Sequence, residues 1–392
     1  MMTSAEAVPL TCQKHLFSLP SEIHYLNCAY MSPLSRDVEA AGVAAVRRKS
    51  DPSKISSRDF FEDSDRVRGL FSELINVENP ERIAIIPAVS YGVATVVNNL
   101  EVRAGQNIVL TREQFPSNVY AWKRFEGQGV DVRFVAPPKT VQSRGQLWNQ
   151  RLFEAIDGDT AAVALGHVHW TDGTRFDLLE LGRRAREVGA ALIIDGTQSV
   201  GALPFDVTLL QPDALICAGY KWLLGPYGIG LAYYGPRFDN GRPLEEGWIV
   251  RLGSENFSGL VDYQDGYQPG ALRYDVGERS SFTLTPMIKR ALEHLLAWGV
   301  EEIQSYCREL TCDLFDEARA LGYQVEDEAW RSAHLFGLRL PEGLDPHRLQ
   351  QRLEQRRISV SVRGSAVRIS PHVYNDQQDI AALLEALKEA RT

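Results

Sequence analysis

Two stretches decide the fold of this chain: Ala190-Ala-Leu-Ile-Ile-Asp195-Gly-Thr-Gln198-Ser and Ala214-Leu-Ile-Cys-Ala-Gly-Tyr220-Lys221-Trp-Leu-Leu-Gly-Pro-Tyr-Gly. Each opens with a short apolar run without helical periodicity, which is typical of a buried strand that delivers side chains to a site at its carboxyl end. Asp195 ends the first run, and Lys221 follows the second. A lysine in apolar surroundings loses ammonium solvation, so its pKa falls and the neutral amine becomes available for attack on an aldehyde.

Apolar runs of the same kind recur through the first two thirds of the chain. Further runs that predict buried strands lie at residues 83–87, 107–110, 130–136, 161–167 and 229–234. Helices are predicted at residues 62–77, where apolar residues recur on one face, and after Tyr91, Ser117, Leu147 and Asp177. Alternating strands and helices predict an α/β fold with a largely parallel sheet that is covered on both faces.

The pattern changes after residue 235. Residues 235–277 are rich in Gly, Pro, Tyr and acidic residues and show little periodicity, as in a long functional or partner-contacting loop. The next segments predict helices at 284–298 and 300–321, strands at 335–340, 358–362 and 367–370, and a last helix from Asp376. We therefore expect a large domain at residues 31–270, a smaller α+β domain at 271–392, and an N-terminal segment, 1–30, packed on the small domain.

Composition excludes several classes of protein. The 392 residues are 44% hydrophobic and 24% charged, as in a soluble globular protein, and the net charge of -9 disfavours a nucleic-acid partner. Five scattered cysteines without a CxxC pair argue against a disulfide framework or structural zinc. The N-terminus lacks an apolar signal-peptide core, and no segment is apolar for long enough to span a membrane. We expect a cytoplasmic protein.

Asp195 and Lys221 together match the needs of pyridoxal phosphate, which requires an amine for a Schiff base and an acid that keeps its pyridine nitrogen protonated. Each residue alone has a plainer interpretation, as a turn cap or a surface lysine. Their flanking sequence resembles the class V aminotransferase family, which includes cysteine desulfurases, kynureninases and isopenicillin-N-epimerase-like proteins. The resemblance extends from residues 25–33 to Tyr374-Asn375. It implies a fold type I pyridoxal-phosphate enzyme.

The resemblance also implies roles for single residues. Lys221 carries the cofactor, Asp195 pairs with the pyridine nitrogen, Gln198 lies near the ring hydroxyl, and Tyr220 reaches the phosphate. Cysteine desulfurases carry a nucleophilic thiol on a loop before their substrate arginine. The corresponding residues 359–366 contain no cysteine, which disfavours that activity.

Two further segments are candidate cofactor contacts. Ser90 and Tyr91 follow a predicted strand and open a helix, where free backbone amides suit a phosphate, although Ser90 is also a plausible helix cap. Phe115 stands where the family places an aromatic ring or histidine stacked on the cofactor; its plainer interpretation is a core residue.

Substrate contacts are expected from Arg368 and His169. Arg368 matches the family arginine that grips the substrate carboxylate, and a guanidinium does this at two points. His167 and His169 alternate at a strand end and so share one side. A metal site is disfavoured because no third ligand is evident nearby, and one histidine facing the cofactor is the preferred interpretation.

Gly277-Glu278-Arg279-Ser280 stands where many relatives have a threonine that contacts the phosphate of the other subunit. Glu278 would repel a phosphate, so either Arg279 or Ser280 substitutes for the threonine or the contact is absent. The resemblance still implies a homodimer with active sites at its interface.

The expected activity is α-proton removal from an amino acid that forms a Schiff base with the cofactor. An aminotransferase is the preferred reaction, with epimerisation or β-elimination as alternatives. A non-catalytic binding protein on the same fold is the alternative from another class.

Overall fold

A computed structural model of the protein describes residues 9–140, 142–363 and 366–391. The α-helices in these ranges are α1 (Arg36–Lys49), α2 (Glu62–Leu74), α3 (Val89–Asn99), α4 (Tyr120–Lys123), α5 (Arg144–Ala155), α6 (Leu178–Glu187), α7 (Val207–Leu210), α8 (Leu284–Trp298), α9 (Val300–Leu310), α10 (Cys312–Ala320), α11 (Pro346–Gln355) and α12 (Gln377–Arg391). The strands are β1 (His24–Tyr25), β2 (Ile83–Ile86), β3 (Asn107–Thr111), β4 (Asp131–Val135), β5 (Thr160–Gly166), β6 (Ala191–Asp195), β7 (Ala214–Ala218), β8 (Gly230–Tyr234), β9 (Gln324–Val325), β10 (Phe336–Arg339), β11 (Ile358–Ser359), β12 (Ser361–Arg363) and β13 (Ala366–Ile369).

The larger sheet has the strand order β2-β8-β7-β6-β5-β3-β4. Strands β3 to β7 are parallel to their neighbours in that group, and β8 runs antiparallel to both β2 and β7. The register pairs Gly166 with Asp195 and Asp195 with Ile216, so β5, β6 and β7 end at the same edge. The predicted α/β fold with a mostly parallel sheet is confirmed.

Both faces of this sheet are covered, which explains why its strands are apolar without interruption. Successive side chains of a strand point to opposite faces. On β6, Leu192 and Ile194 belong to one buried cluster, and Ala191 and Ile193 belong to another. The same alternation fixes which residues at the strand ends can reach a shared site.

A second sheet has the order β12-β13-β10-β9 and is antiparallel throughout. Its buried face packs with α10, α11 and α12 in a separate cluster that includes Leu314, Leu349 and Leu383. Strand β1 pairs in parallel with β11, and Leu26 belongs to the same cluster. The described part of the N-terminal segment therefore contacts the C-terminal region; residues 1–8 of the predicted segment lie outside the described residues.

Two predicted elements require correction. The predicted helix at 300–321 is two helices, α9 and α10, because the chain leaves helical geometry at Thr311, whose hydroxyl donates to the Cys307 carbonyl at 2.8 Å. The predicted strand at 358–362 is likewise two short strands, β11 and β12, which join different sheets. The domain boundaries stay a prediction.

Candidate active site

A cavity of about 230 Å³ lies at the carboxyl ends of β5, β6 and β7 and is called the sheet-end cavity here. Gly166, Asp195 and Ala218, the last residues of these strands, line it. Parallel strands that end together create such a crevice, which is where open α/β sheets bind ligands. Of the predicted site residues, the structure brings together around this cavity Ser90, Phe115, Asp195, Gln198, Tyr220 and Lys221.

Lys221 lies in the turn after β7, and only 7% of its surface is exposed. Its Nζ is 5.4 Å from the centroid of the Phe115 ring and 5.6 Å from that of Tyr220. Burial lowers the pKa of Lys221 to about 8, and the carboxylate of Asp195 opposes part of that shift. The neutral amine that nucleophilic attack requires is therefore much more accessible near physiological pH than in an exposed lysine, although the ammonium form still predominates there.

Asp195 is fixed at the end of β6, where its Oδ1 accepts a hydrogen bond from the Thr197 amide at 3.0 Å. Burial raises the pKa of Asp195, while the hydrogen bonds from Thr197 and the charge of Lys221 act in the opposite direction. Among the described residues Asp195 forms no direct ion pair with any cation. A buried carboxylate without such a partner suits a ligand that brings its own positive charge.

Ser90 lies in the first turn of α3, next to the other cavity residues Ala88 and Val89. Among the described residues no side chain caps this helix; the Tyr91 and Gly92 amides donate to the Ala88 carbonyl, which leaves the Val89 and Ser90 amides and the positive end of the helix dipole for a ligand at the cavity. The placement of Tyr91 differs from expectation, since it does not line the cavity. Successive residues of an α-helix are turned by about 100° from each other, so the Tyr91 side chain points in a different direction from that of Ser90. The Tyr91 ring packs on a buried hydrophobic cluster.

One wall of the sheet-end cavity is aromatic. The ring of Phe115 meets that of Trp170 edge to face, with centroids 5.4 Å apart, and the Trp170 indole donates to the Glu113 carbonyl at 2.7 Å. Gln198 faces the cavity while its Nε2 donates to the Ala29 carbonyl at 3.1 Å and its Oε1 accepts from the Trp222 indole at 2.9 Å. The second hydrogen of that amide nitrogen and the second lone pair of Oε1 remain for a ligand.

His169, which was expected to face the cofactor, does not line the sheet-end cavity. Gly166, Val168 and Trp170 line the cavity, so the alternate residues His167 and His169 point to the other side. The His169 ring contacts the Thr171 hydroxyl at 2.8 Å, and its centroid lies 4.8 Å from that of Trp148.

Arg368 lies on β13 and is almost completely buried, with 1% of its surface exposed. One guanidinium nitrogen donates to the Trp170 carbonyl at 2.7 Å and another to the Ser361 hydroxyl at 3.2 Å. Its Nε is buried and has no hydrogen-bond partner among the described residues. Burial lowers the pKa of Arg368 to about 10, and the charge of Arg363 adds to this effect. The side chain is close enough to Lys221 to lower the pKa of that amine as well.

Arg363, which the sequence analysis did not single out, lies beside Trp170 on the wall of the sheet-end cavity. Its guanidinium carbon lies 5.6 Å from the centroid of the Trp170 ring, and its Nε is buried without a partner among the described residues. The signal available in the sequence was a second arginine five positions before Arg368, across the β12–β13 hairpin. Gly364 and Ser365, part of the segment in which we sought a nucleophilic thiol, lie outside the described residues.

The structure also bears on the two candidate replacements for the cross-subunit threonine. The guanidinium of Arg279 is buried and forms an ion pair with Asp275 at 2.9 Å, an acid that Arg68 also binds. The Ser280 hydroxyl donates to the Phe60 carbonyl. Both side chains are therefore engaged within their own subunit, whereas Glu278 is exposed.

The family model for class V aminotransferases matches residues 44–383. The chain belongs to the class V aminotransferase family. Members of this family are pyridoxal-phosphate-dependent enzymes, and so is this protein. Among curated relatives, it is 26% identical over 395 residues to isopenicillin N epimerase of Amycolatopsis lactamdurans, covering 95% of this chain and 96% of the relative.

Other relatives have different activities. A probable cysteine desulfurase of Methanothermobacter thermautotrophicus is 26% identical over 337 residues, covering 80% of each chain. Among solved structures, a C-DES variant with glycine covalently linked to its pyridoxal-phosphate cofactor superposes with a TM-score of 0.84 at 22% identity, covering 96% of this chain and 99% of that one. This likeness shows that the present chain has the same fold as that structure.

The residues present fit the family cofactor. The sheet-end cavity combines a buried amine of lowered pKa, a buried carboxylate without a direct ion-pair partner, an uncapped helix start and an aromatic wall. These features are complementary to an aldehyde, a protonated pyridine nitrogen, a phosphate and a flat ring, respectively.

Proposed function

We propose that this enzyme is an aminotransferase that acts on amino acids and that Lys221 is the residue to which the cofactor is attached. The observation that carries the proposal is the buried amine of Lys221 in the sheet-end cavity, with Asp195 also on the cavity wall. Asp195 would hold the pyridine nitrogen and the first turn of α3, with Ser90, the phosphate. Phe115 would cover the ring, while Gln198 and Tyr220 would contact the ring hydroxyl and the phosphate; Tyr91 is not retained.

When bound, pyridoxal phosphate supplies an electron sink that acidifies the α C–H bond of an amino acid. The protein supplies the base. Among the described residues that line the cavity, the ionisable side chains are Asp195, Tyr220, Lys221 and Tyr227. Burial raises the pKa values of Asp195 and Tyr220 and lowers that of Lys221, so the Lys221 Nζ is the group suited to accept a proton near neutral pH.

Arg368 would orient the substrate by binding its α-carboxylate. Its guanidinium is held by the Trp170 carbonyl and the Ser361 hydroxyl, and its buried Nε has no hydrogen-bond partner among the described residues. A substrate held at this end presents its α-hydrogen in a fixed direction, which selects the bond that is broken.

Epimerisation and β-elimination start with the same proton removal and are the alternatives. Val168 and Trp170 line the cavity, whereas His167 and His169 do not. Neither histidine can therefore serve as a second base there. This removes both histidines as candidates for the second base of a two-base epimerisation. The absence of cysteine from residues 359–366 continues to disfavour a desulfurase.

The attachment is tested by replacing Lys221 with Ala. The variant should fold but lose the visible absorbance band of the covalently bound cofactor, whereas Lys54→Ala, at a lysine whose side chain is 69% exposed, should keep it. Borohydride reduction of the wild type followed by peptide mapping should place the adduct on Lys221. An adduct on another lysine would contradict the proposal.

The reaction type is tested by product analysis with a panel of amino acids. A transaminase should form the 2-oxo acid only in amounts matched by an added 2-oxo acid acceptor, without release of ammonia. Steady ammonia formation without acceptor would indicate elimination, and loss of optical activity without either product would indicate epimerisation.

We further infer a cytoplasmic homodimer. The described chain contains no helix that is both long and apolar enough to cross a bilayer. The dimer is proposed from family membership and from the exposed apolar side chains of residues 248–263.

A further inference from the structure

Trp170 is in contact with two arginines through different parts of its structure. Its backbone carbonyl accepts a hydrogen bond from Arg368 at 2.7 Å, and the Arg363 guanidinium lies 5.6 Å from the centroid of its ring. The ring cannot turn freely, because its indole nitrogen donates to the Glu113 carbonyl and the ring packs edge to face with that of Phe115. Trp170 therefore fixes two guanidinium groups near one wall of the sheet-end cavity.

Neither arginine has an acidic partner. Among the described residues Arg363 and Arg368 form no ion pair, and each has a buried Nε without a hydrogen-bond partner. Within the part of the chain that the structure describes, the Arg363 guanidinium donates one hydrogen bond, to the carbonyl of its neighbour Val362 at 3.1 Å. Each of the two cations depresses the pKa of Lys221, and Arg363 depresses that of Arg368, so all three are electrostatically coupled.

The sheet-end cavity itself contributes little to neutralise them. Asp195 is the carboxylate among its described lining residues, and it lies at the end of β6 with Thr197. Like charges brought together in a partly buried site destabilise each other unless an anion joins them. One α-carboxylate at Arg368 would leave Arg363 without an anion.

We propose that Arg363 binds a second acidic group of the substrate, so that the enzyme acts on amino acids whose side chain carries a carboxylate and on the matching dicarboxylic 2-oxo acids. This inference rests on the proposed function and deepens it. The α-carboxylate would occupy Arg368 beside the Trp170 backbone, and the side-chain carboxylate would reach Arg363 at the Trp170 ring. Planar guanidinium groups suit two-point binding of carboxylates at both ends.

The test compares two ligands of equal chain length, glutarate and pentanoate, by calorimetric titration of the cofactor-loaded protein. Wild type should bind glutarate more tightly, and Arg363→Gln should reduce that preference roughly tenfold or more, as expected for loss of a charge-assisted hydrogen bond. Arg363→Lys should retain an intermediate preference because it keeps the charge without the planar fork. The matched control is Arg319→Gln, at an arginine on α10 whose side chain is 48% exposed, which should leave the preference unchanged.

Turnover provides an independent readout. The ratio of kcat/KM for glutamate to that for norvaline should fall in Arg363→Gln by a similar factor, with the cofactor absorbance unchanged. If Arg363→Gln weakens glutarate and pentanoate equally, both arginines bind the same carboxylate and the proposal is wrong. If Arg363→Gln does not fold, the wild type decides the question. A wild type that does not prefer glutarate to pentanoate overturns the proposal.

The outcomes also separate this inference from the proposed function. Retained glutarate preference in a protein that transfers no amino groups would contradict the aminotransferase proposal alone. Amino transfer from glutamate and norvaline at equal efficiency would contradict the role of Arg363 alone.

Discussion

At the scale of the residue, burial determines what Lys221 can do. Its amine has almost no exposed surface and has the rings of Phe115 and Tyr220 nearby, so the ammonium form lacks solvation. The resulting pKa of about 8 is favourable for chemistry, but a buried ammonium also destabilises the folded protein whenever the cofactor is not attached. Reactivity and instability thus have the same physical cause.

This cost should depend on pH in the cofactor-free protein. The pKa of Lys221 falls from 10.5 to about 8 on folding, so below about pH 8 both states are protonated and the full destabilisation is present. Between these values the unfolded state binds the extra proton, and stability rises with pH. Lys221→Met should therefore increase the unfolding free energy at pH 7 by on the order of 3 kcal/mol, with a gain that shrinks towards pH 10.

Urea unfolding at several pH values measures this gain as the difference in unfolding free energy between variant and wild type. The contributions of the other titrating groups cancel in that difference. Lys54→Met is the control for removal of a lysine, because the Lys54 side chain is 69% exposed. A gain for Lys221→Met that stays constant from pH 7 to pH 10 would contradict the argument.

The sequence predicted single residues well where a strand end fixes them. Asp195 and Lys221 follow apolar runs whose ends must meet at one sheet edge, and the structure places both at the sheet-end cavity. His169 was misplaced because alternation along a strand defines two sets of side chains without saying which set faces the site. Gly166, Val168 and Trp170 face the sheet-end cavity instead.

At the scale of the element, α3 must lie close to the sheet for its first turn to reach the sheet-end cavity. Gly92 makes this possible: a Cβ added there would lie 2.7 Å from Ile216 Cγ2 and 3.0 Å from Ile86 Cδ1. Both neighbours belong to buried strands and have little room to move. The helix would have to shift away from the sheet, and Ser90 would move with it.

Gly92→Ala should therefore destabilise the protein by roughly 1–3 kcal/mol and also weaken cofactor binding. Gly69→Ala is a matched control, because Gly69 also lies within a helix, α2, and an added Cβ meets nothing within 4 Å. It should be stabilising by about 0.5–1 kcal/mol and leave cofactor affinity unchanged. Denaturant unfolding and absorbance titration with pyridoxal phosphate measure the two effects. Equal behaviour of the two variants would show that close packing at Gly92 does not position α3.

Elements of the large sheet were predictable because short apolar runs between turn residues define strands almost directly. The break at Thr311 was not, since α9 and α10 both bury an apolar face and the interruption is confined to the backbone of one residue. The position proposed for Arg363 beside the site was also hidden. It depends on β12 pairing with β13 and on a contact with Trp170, which is distant in the sequence.

At the scale of the whole molecule, a buried charge network joins the two sheets next to the site. Asp172 accepts hydrogen bonds from Arg144 at 2.8 Å and from Arg339, on β10 of the second sheet, at 2.6 Å. Two residues before Asp172, the Trp170 carbonyl binds Arg368 of β13. The segment after β5 is therefore held by both arginine-bearing strands, and a substrate bound at Arg368, as proposed, would be positioned by the way the two sheets pack.

The segment at residues 248–263 presents exposed apolar side chains that suit contact with a second copy of the chain. Val261 is 77% exposed and Tyr263 is 95% exposed, while Trp248 and Phe257 pack edge to face, with ring centroids 5.4 Å apart. Adjacent exposed apolar residues on a globular protein commonly mark an interface. In a twofold dimer the same patch would be buried on both subunits.

We therefore expect the wild type to have a solution mass near twice 43.9 kDa, measured by light scattering during size-exclusion chromatography. Val261→Asp combined with Tyr263→Asp should shift it towards the monomer, because four carboxylates would meet across the twofold interface. Leu209→Asp is the control, since Leu209 is 64% exposed on α7, outside this segment, and its replacement should leave the mass unchanged. If the double variant stays dimeric while remaining folded, the segment 248–263 is not the contact. A monomeric wild type would exclude the homodimer, and with it active sites at a subunit interface.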